Sequence, residues 1–563
     1  MKLFSRFLAV LLLLGGVLVA TNQAYSKNIT VRKGGKIQDA VNKASPGDTI
    51  IVEDGVYNES VQISKSNLTI KAKNPRKAVL DGQWSKSYGF YAAKGQKIDK
   101  IVIQEFEIRN FTSAGVQAYY KHDKYTSWTI EDNYIHHAVD NGVVIGGSGH
   151  KILNNEIAFI GNDGEAAGVH SWANSTTISD NTIYVIRKNG IRVSTASRNM
   201  VKNNLIAYTG PGIAINYDHC GNVVTNNYIV FSQKGIIPKH CRCRTEKPML
   251  YNRLIHNTVV ETTEANLVLG EDMFPKHKPP NDQFGSDCLD VYNNIFSNSH
   301  LLSIKDTKNR TNRFNLNFNF YDKLFAYSMP NAKEKKDKKS KNFEEYQKTD
   351  TIGKVSLKDF DKNSTTGNPL LVNPYLGPKL RENSPVLAFQ KKAEPVKGGL
   401  GKQVGARLDR TLPVMFKRLK MTVQNAGTFS NVEHTFDGVY GTIATAKGSG
   451  SHSIIYKLDG NPEYNILWMT PARNDKENTI KEFVVEVSDK ASSGFKPVRP
   501  KHKNSMVVPD KTKAQPSAHF HEFHPETARF IRVTFMKNFL DKANAFAVDD
   551  IWVARDRSTG PPN

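Results

Sequence analysis

The stretch GIAINYDHCGNVVTNNYIVFSQKGIIPKHCRCR, residues 212–244, carries one line twice. Gly212-Ile-Ala-Ile-Asn-Tyr returns as Gly235-Ile-Ile-Pro-Lys-His, and each copy runs on to a cysteine, Cys220 and Cys243. The apolar positions repeat while the polar ones change. Outward from here, the same glycine opens Gly115-Val-Gln-Ala-Tyr, Gly142-Val-Val-Ile-Gly, Gly168-Val-His-Ser-Trp and Gly190-Ile-Arg-Val-Ser. Between these units lie Asn133-Tyr-Ile, Asn155-Glu-Ile, Asn181-Thr-Ile, Asn204-Leu-Ile, Asn227-Tyr-Ile, Asn257-Thr-Val and Asn294-Ile-Phe. From Gly115 to Gly235 the glycines step by 22 to 27 residues.

Each unit holds short period-two strands of Val and Ile, parted by Asn, Gly and Asp turns. A helical solenoid would need apolar spacings of three and four, which are absent. The repeat is too short for a propeller blade and lacks the pattern of leucine-rich repeats. One coil of a parallel β-helix fits, with equivalent residues stacked on successive coils. The asparagines then form a ladder at an inner turn, a structural rather than catalytic role. Cys220 and Cys243 each lie eight residues past their glycine. Stacking puts them about 4.8 Å apart on adjacent coils, within disulfide range. A Cys220–Cys243 bond is expected, with Cys241–Cys288 as a second option.

The flanks agree. KIQDAVNKASPGDTIIVEDGVYNESVQI, residues 36–63, starts with a short amphipathic helix that can cap the open end of the core. With AVLDGQW (78–84), it resembles the opening of right-handed β-helix proteins of the pectate-lyase-like superfamily. NPLLVNPYLGPKLRENSPVLAFQ and VGARLDR, within residues 368–410, resemble the closing stretch of many bacterial members. The resemblance covers roughly residues 27–410. It implies a right-handed parallel β-helix and, less sharply, a polysaccharide lyase. Within it, residues 331–365 are rich in Lys, Asp, Glu and Ser and read as a solvated insertion. Residues 270–288 form a Pro-rich excursion suited to walling a groove.

After residue 411 the repeat stops. Residues 411–426 read as a linker, 427–556 as strands parted by turns, and 557–563 as a tail. Phe436-Asp437-Gly438, Phe483-Val-Val-Glu-Val-Ser and Arg529-Phe-Ile-Arg-Val resemble a discoidin, or coagulation factor type C, module. That resemblance implies a jelly-roll β-sandwich that binds carbohydrate through its loops. The Lys/Pro-rich stretch near 500–520 departs from the family, so no binding residue is carried over.

The chain has 563 residues, 39% apolar and 23% charged, with a formal charge of +23. Such a surplus favours polyanionic partners. Lys2 and Arg6, the apolar run Phe7–Ala20 and Ala24-Tyr-Ser read as a secretory signal over residues 1–26. A secreted or periplasmic location follows, and a partner other than nucleic acid. No other stretch is long and apolar enough to cross a membrane, and a monomer is expected. Cys241-Arg-Cys243 has no second Cys/His pair at finger spacing, so no zinc site is expected.

Counted from each glycine, positions +1 and +3 are apolar and should face in, leaving +2 and +4 facing out. Position +2 gives Gln117, Val144, His170, Arg192, Ala214 and Ile237; +4 gives Tyr119, Gly146, Trp172, Ser194, Asn216 and Lys239. Tyr217, Asp218, His219, His240, Arg242 and Arg244 follow just beyond. This cationic and aromatic set suits β-elimination on a uronic-acid polymer such as alginate, pectate or glucuronan. The C6 carboxylate must be neutralised, a base must take the C5 proton, and an acid must assist the leaving oxygen. Lys239 or His219 is the candidate base, and Tyr217 base or acid. Arg192, Arg242 and Asn216 would grip carboxylates, Trp172 would stack on a sugar, and His170, His240 and Arg244 would line the trough. Calcium would need several oxygen ligands together. Asp163, Glu165 and Asp218 are candidates, although acidic residues also populate coil turns. A C5-epimerase shares the chemistry, and Tyr217-Asp218-His219 is similar to the Tyr/Asp-Pro-His motif of mannuronan epimerases without its proline. A glycoside hydrolase would need a carboxylate pair, and none stands out on the cationic face. A non-catalytic glycan-binding protein is the remaining alternative.

Overall fold

The computed structural model describes residues 26–556 apart from 121–124, 162–165, 217–219, 239–251, 263, 270–285, 298–301, 305–311, 323–326, 331–336, 341–342, 349–350, 353–354, 357–359, 373–376, 394, 396–399, 410–415, 437–442, 472–477, 479, 500–518 and 539. The signal segment, bar Ser26, and the 557–563 tail lie outside these residues. Among the described residues no helix is long and apolar enough to cross a membrane.

The short Val/Ile runs form three twelve-stranded sheets wound into a solenoid. The first sheet runs from Asn28–Val31 to Asn312–Asn317, the second from Gly55–Tyr57 to Thr365–Thr366, and the third from Val61–Ile63 to Asp337–Ser340. Neighbours are parallel and come from successive coils; the exception is the last pair of the third sheet. The repeat sets the register. Ile135, Ile157, Ile183, Ile206, Ile229 and Val259 stack in one inward column of the second sheet. All six are fully buried.

Two polar columns hold the coils at their turns. In the first, the Asn133 backbone N–H and Nδ2 both donate to Asn155 Oδ1, at 3.1 Å each. The pattern repeats through Asn181, Asn204, Asn227, Asn257, Asn294 and Asn319. Each Nδ2 also reaches back to a carbonyl of the coil behind, as Asn204 does to Ile178 O at 3.0 Å. The ladder is structural, as expected, and has one more rung than the sequence reading gave it. A second ladder, Asn199–Asn222–Asn252, closes another turn. His150 extends that column toward the N-terminus, its Nδ1 accepting from the Trp128 N–H at 3.2 Å.

The glycine column has a steric cause. A Cβ on Gly190 would lie 2.6 Å from Gly212 O and 2.7 Å from Ile206 Cγ2, and its neighbours in the column are equally tight. The column starts one coil earlier than the sequence reading placed it, at Gly89. The helix Ile37–Lys43 buries Ile37, Ala40 and Val41 against the first coil, as a cap should.

The Lys-rich insertion is not simply solvated. Its helix Phe343–Lys348 packs Tyr346 into the solenoid core. Tyr346 and Tyr321 donate hydroxyl hydrogen bonds of 3.0 and 2.8 Å to the buried Asp361 carboxylate. Two tyrosines and one acid thus close the far end, which overall charge could not reveal.

Beyond the solenoid, among the described residues, ten antiparallel strands form two five-stranded sheets. They begin earlier than expected. Phe416–Arg418 pairs with Ala545–Asp556, and Met421–Asn425 pairs with His452–Leu458, so residues read as linker are sandwich strands. Ile466 and Ala554 of this sandwich share one buried apolar cluster with Phe159, Tyr184 and Tyr208 from the second sheet and with Phe231 just past it. The outer face of that sheet is therefore partly occupied by the sandwich.

Candidate functional site

The third sheet holds the expected column. Gln117, Val144, His170, Arg192, Ala214 and Ile237 are in register on successive strands. Gly146 is level with Trp172, and Ser194 with Asn216. Their strand neighbours Val169, Ile191, Val193, Ile213 and Ile215 all belong to the inner core. Alternation therefore turns the polar set to the outer face.

Exposure differs from expectation. An open trough was expected, yet His170 is 6%, Arg192 5% and Asn216 2% exposed. Alternation fixes the direction of a side chain but not what packs over it. Part of the cover comes from the set itself. The Trp172 ring lies 5.1 Å from His170, and Tyr119 stacks on Trp172 at 5.5 Å and 10°. Tyr119 spans a coil to do so. A Cβ on Gly146, on the coil between, would sit 2.4 Å from Tyr119 Cδ2. The glycine therefore makes the aromatic pair possible, and its two half-buried rings are the accessible edge of the site.

His170 Nε2 lies 3.2 Å from Ser194 Oγ. Burial, reinforced by the Arg192 charge, pushes His170 from its usual 6.5 down to about 3. It is therefore neutral near pH 7 and too weak a base to take a proton there. Among the described residues the Asn216 Oδ1 atom is buried with no hydrogen-bond donor. The centre of the set is thus a guanidinium, a neutral imidazole and an amide oxygen, all three buried.

Arg192, His170, Trp172 and Asn216 are the predicted residues that the fold brings together. Tyr217, Asp218, His219, Lys239, His240, Arg242, Cys243, Arg244, Asp163 and Glu165 lie outside the described residues, so the candidate bases and calcium ligands fall there. Cys220 is disulfide-bonded. Among the described residues no three His, Cys, Asp or Glu side chains are placed to hold a metal.

A second charged cluster escaped the sequence reading. On the outer face of the second sheet, Arg109 Nε meets Asp81 Oδ2 at 2.9 Å and its Nη1 meets Glu107 Oε1 at 2.7 Å. Glu107 in turn meets His136 Nε2 at 3.3 Å, and His136 Nδ1 lies 2.6 Å from His137 Nδ1. Burial pushes Glu107 up. Burial also raises Asp81, but hydrogen bonds from Arg109, Gln83 and Asn110 outweigh it and leave that acid below its usual range. The signal was in the repeat, since Asp81, Arg109 and His136 share one column. The two carboxylates are tied to one guanidinium, which suits a coil-to-coil clamp.

Residues 88–259 match the family described as "Right handed beta helix region". Among curated protein sequences none matches the chain. Among solved structures the chain is similar to an alginate lyase from Paenibacillus sp. str. FPU-7, at 15% identity and TM-score 0.37, covering 51% of this chain and 97% of that one. It is similar to XylC in complex with xylose, at 12% identity and TM-score 0.44, covering 76% of this chain and 91% of that one. Over a shorter stretch it is similar to CpGH89CBM32-5 from Clostridium perfringens, at 16% identity and TM-score 0.20, covering 24% of this chain and 94% of that one. The match to the β-helix family lies wholly within the three-sheet solenoid and spans the candidate site through Ile237.

Proposed function

We propose that the chain is an exported lyase that cleaves a uronic-acid polysaccharide by β-elimination on the outer face of the third sheet. One observation carries the reading: Arg192 is held in register beside neutral His170, with the Asn216 amide one strand on and the Tyr119–Trp172 pair at the rim. The guanidinium would neutralise the C6 carboxylate and so acidify the C5 proton. Asn216 Oδ1 would accept from a sugar hydroxyl and fix the ring. Lys239, His219 or Tyr217 would take the C5 proton, Tyr217 being also the candidate acid. Arg242 would lower the pKa of Lys239 toward a useful range. A Cys220–Cys243 disulfide would hold the two coils that carry these groups.

The test is incubation with alginate, pectate and glucuronan while following ultraviolet absorbance of an unsaturated uronate. New absorbance is expected with at least one polymer. Arg192→Ala should slow it by about 100-fold or more, as loss of one charge-stabilising donor does, while circular dichroism stays unchanged. Reducing ends without absorbance would identify a hydrolase instead. C5 proton exchange without cleavage would identify an epimerase. Retention without either would leave a binding protein.

A further inference from the structure

We propose that His256 is an acid-sensitive latch on residues 400–407, a strap of chain between the solenoid turns and the sandwich. Turns after strands of the first sheet hold one residue each in the left-handed region: Asp132, Asn154, Asp180, Asn203, Asn226, His256 and Asn293, at φ 51–60°. Their backbone bonds are equivalent from coil to coil, Asn226 N–H donating to Ile255 O at 3.3 Å and His256 N–H to Tyr292 O at 3.2 Å. Several of the side chains also bond along the column, as Asn226 Nδ2 does to Asn203 Oδ1 at 2.9 Å. His256 breaks that chemistry and bonds the strap instead. Its Nε2 accepts from the Leu400 N–H at 2.9 Å, and its Nδ1 donates to Gln403 O.

These two partners fix the proton. A carbonyl only accepts and a backbone N–H only donates, so the ring is neutral with its hydrogen on Nδ1. The same turns tie the rest of the strap. Gln403 Nε2 and the Arg407 N–H both donate to Asn226 Oδ1, at 3.0 and 2.8 Å. The Gly405 N–H donates to Asn293 O at 2.7 Å and the Ala406 N–H to Thr258 Oγ1 at 2.8 Å. Ala406 belongs to the apolar cluster that seats Ile466 and Ala554 of the sandwich.

His256 is fully buried. Along the column its neighbours are Asn226 and Asn293, neither titratable, and Tyr292 meets it through a backbone carbonyl. The charged side chains of the strap are Lys402 and Arg407, both cations, and among the described residues no carboxylate acts on the ring. Burial holds its pKa below 6.5, against the Gln403 carbonyl, which favours the charged form. A further proton would make Nε2 a donor facing the Leu400 N–H and leave a buried charge with no counter-charge. Lifting the strap to admit water relieves both. Leu400 is exposed, so its end lifts without opening a core. Gln403 couples that lift to Asn226, and through it to Arg407. The latch is therefore closed above pH 6.5 and opens as the pH falls toward the depressed value.

The experiment is amide exchange of the full chain, read by mass spectrometry at about pH 7.5 and about pH 5.5 and normalised to the unstructured rate at each pH. With an open-state value of about 6.5, opening of residues 400–407 should rise by up to about tenfold between the two. Leu68–Ala72 should hold, which separates a local event from global unfolding. His256→Gln keeps an acceptor and a donor but does not titrate, and the chain already carries a glutamine in this backbone region at Gln83, φ 51°. His256→Asn returns the position to the column's usual residue, which is too short to reach both strap partners. In both variants the rise should vanish, and in His256→Asn the strap should exchange fast already at the higher pH. The rise, rather than the absolute rate, is the deciding quantity for His256→Gln. No rise in the parent overturns the proposal, as does an equal rise in either variant or a His256→Asn strap as protected as the parent's.

Discussion

Gly190→Ala is the sharpest test of why glycine heads each strand of the third sheet. Gly190 does not occupy the left-handed region, so alanine meets no backbone penalty. At such a position the substitution usually stabilises, by about 0.4–1 kcal/mol, because the unfolded chain loses freedom. Here the new methyl carbon would stand 2.6 Å from Gly212 O and 2.7 Å from Ile206 Cγ2. The first is backbone in a parallel ladder, and the second belongs to a fully buried side chain. Neither can retreat without breaking contacts on the next coil. Overpacking of this kind costs about 1–3 kcal/mol, so the net expectation is a loss of about 1–2 kcal/mol. In a chain of this size the melting shift would be about 1–3 °C. Amide exchange gives the finer reading, because solenoid coils depend on their neighbours. Protection should fall in Thr182–Ile186, Asn189–Ser194 and Pro211–Asn216, and hold in Leu68–Ala72 and the sandwich. A variant as stable as the parent would refute the steric account, whatever its melting curve shape.

Two further outcomes follow from the polar groups. Asn204→Ala removes the acceptor of the Asn181 N–H and Nδ2 and one donor to Ile178 O; with unsatisfied buried groups at about 1–3 kcal/mol each, urea unfolding should show a loss of about 2–4 kcal/mol. A loss near zero would mean that the ladder is replaceable. His170 and His150 are both held neutral by burial, at about 3 and about 4 against an ordinary 6.5. A base with a depressed folded value contributes stability above pH 6.5 and loses it as the pH falls toward that folded value, by at most about 1.4 kcal/mol per unit for each group. The melting temperature should therefore drop between pH 7 and pH 5, and His170→Gln should flatten that drop; an equal slope in both proteins would count against it.

What the sequence displayed was whatever a single coil dictates. Glycine and asparagine columns are legible because each coil meets the same close approach or the same turn. The register of Gln117, Val144, His170, Arg192, Ala214 and Ile237 followed by counting. The second ladder was hidden because His150 breaks its asparagine identity and a longer excursion separates Asn222 from Asn252. The burial of His170 was hidden too, since the Trp172 ring beside it is stacked on by Tyr119, which reaches across Gly146 from two coils away. The Tyr321–Tyr346–Asp361 closure joins residues 25 and 15 apart through packing alone, inside a segment whose charge announced solvent.

On the proposed lyase reading, the apolar seam that seats Ile466 and Ala554 against the tyrosines and phenylalanines beside the second sheet would have a kinetic meaning for a long substrate. A seam of this kind resists swivelling, so a glycan strand caught at the sandwich would be presented to the coils at a fixed span. Capture at one point then raises the effective concentration at the other to the millimolar scale of short tethers. Long chains would enjoy avidity that fragments too short to bridge the span do not, and degradation would slow of its own accord as the strands shorten.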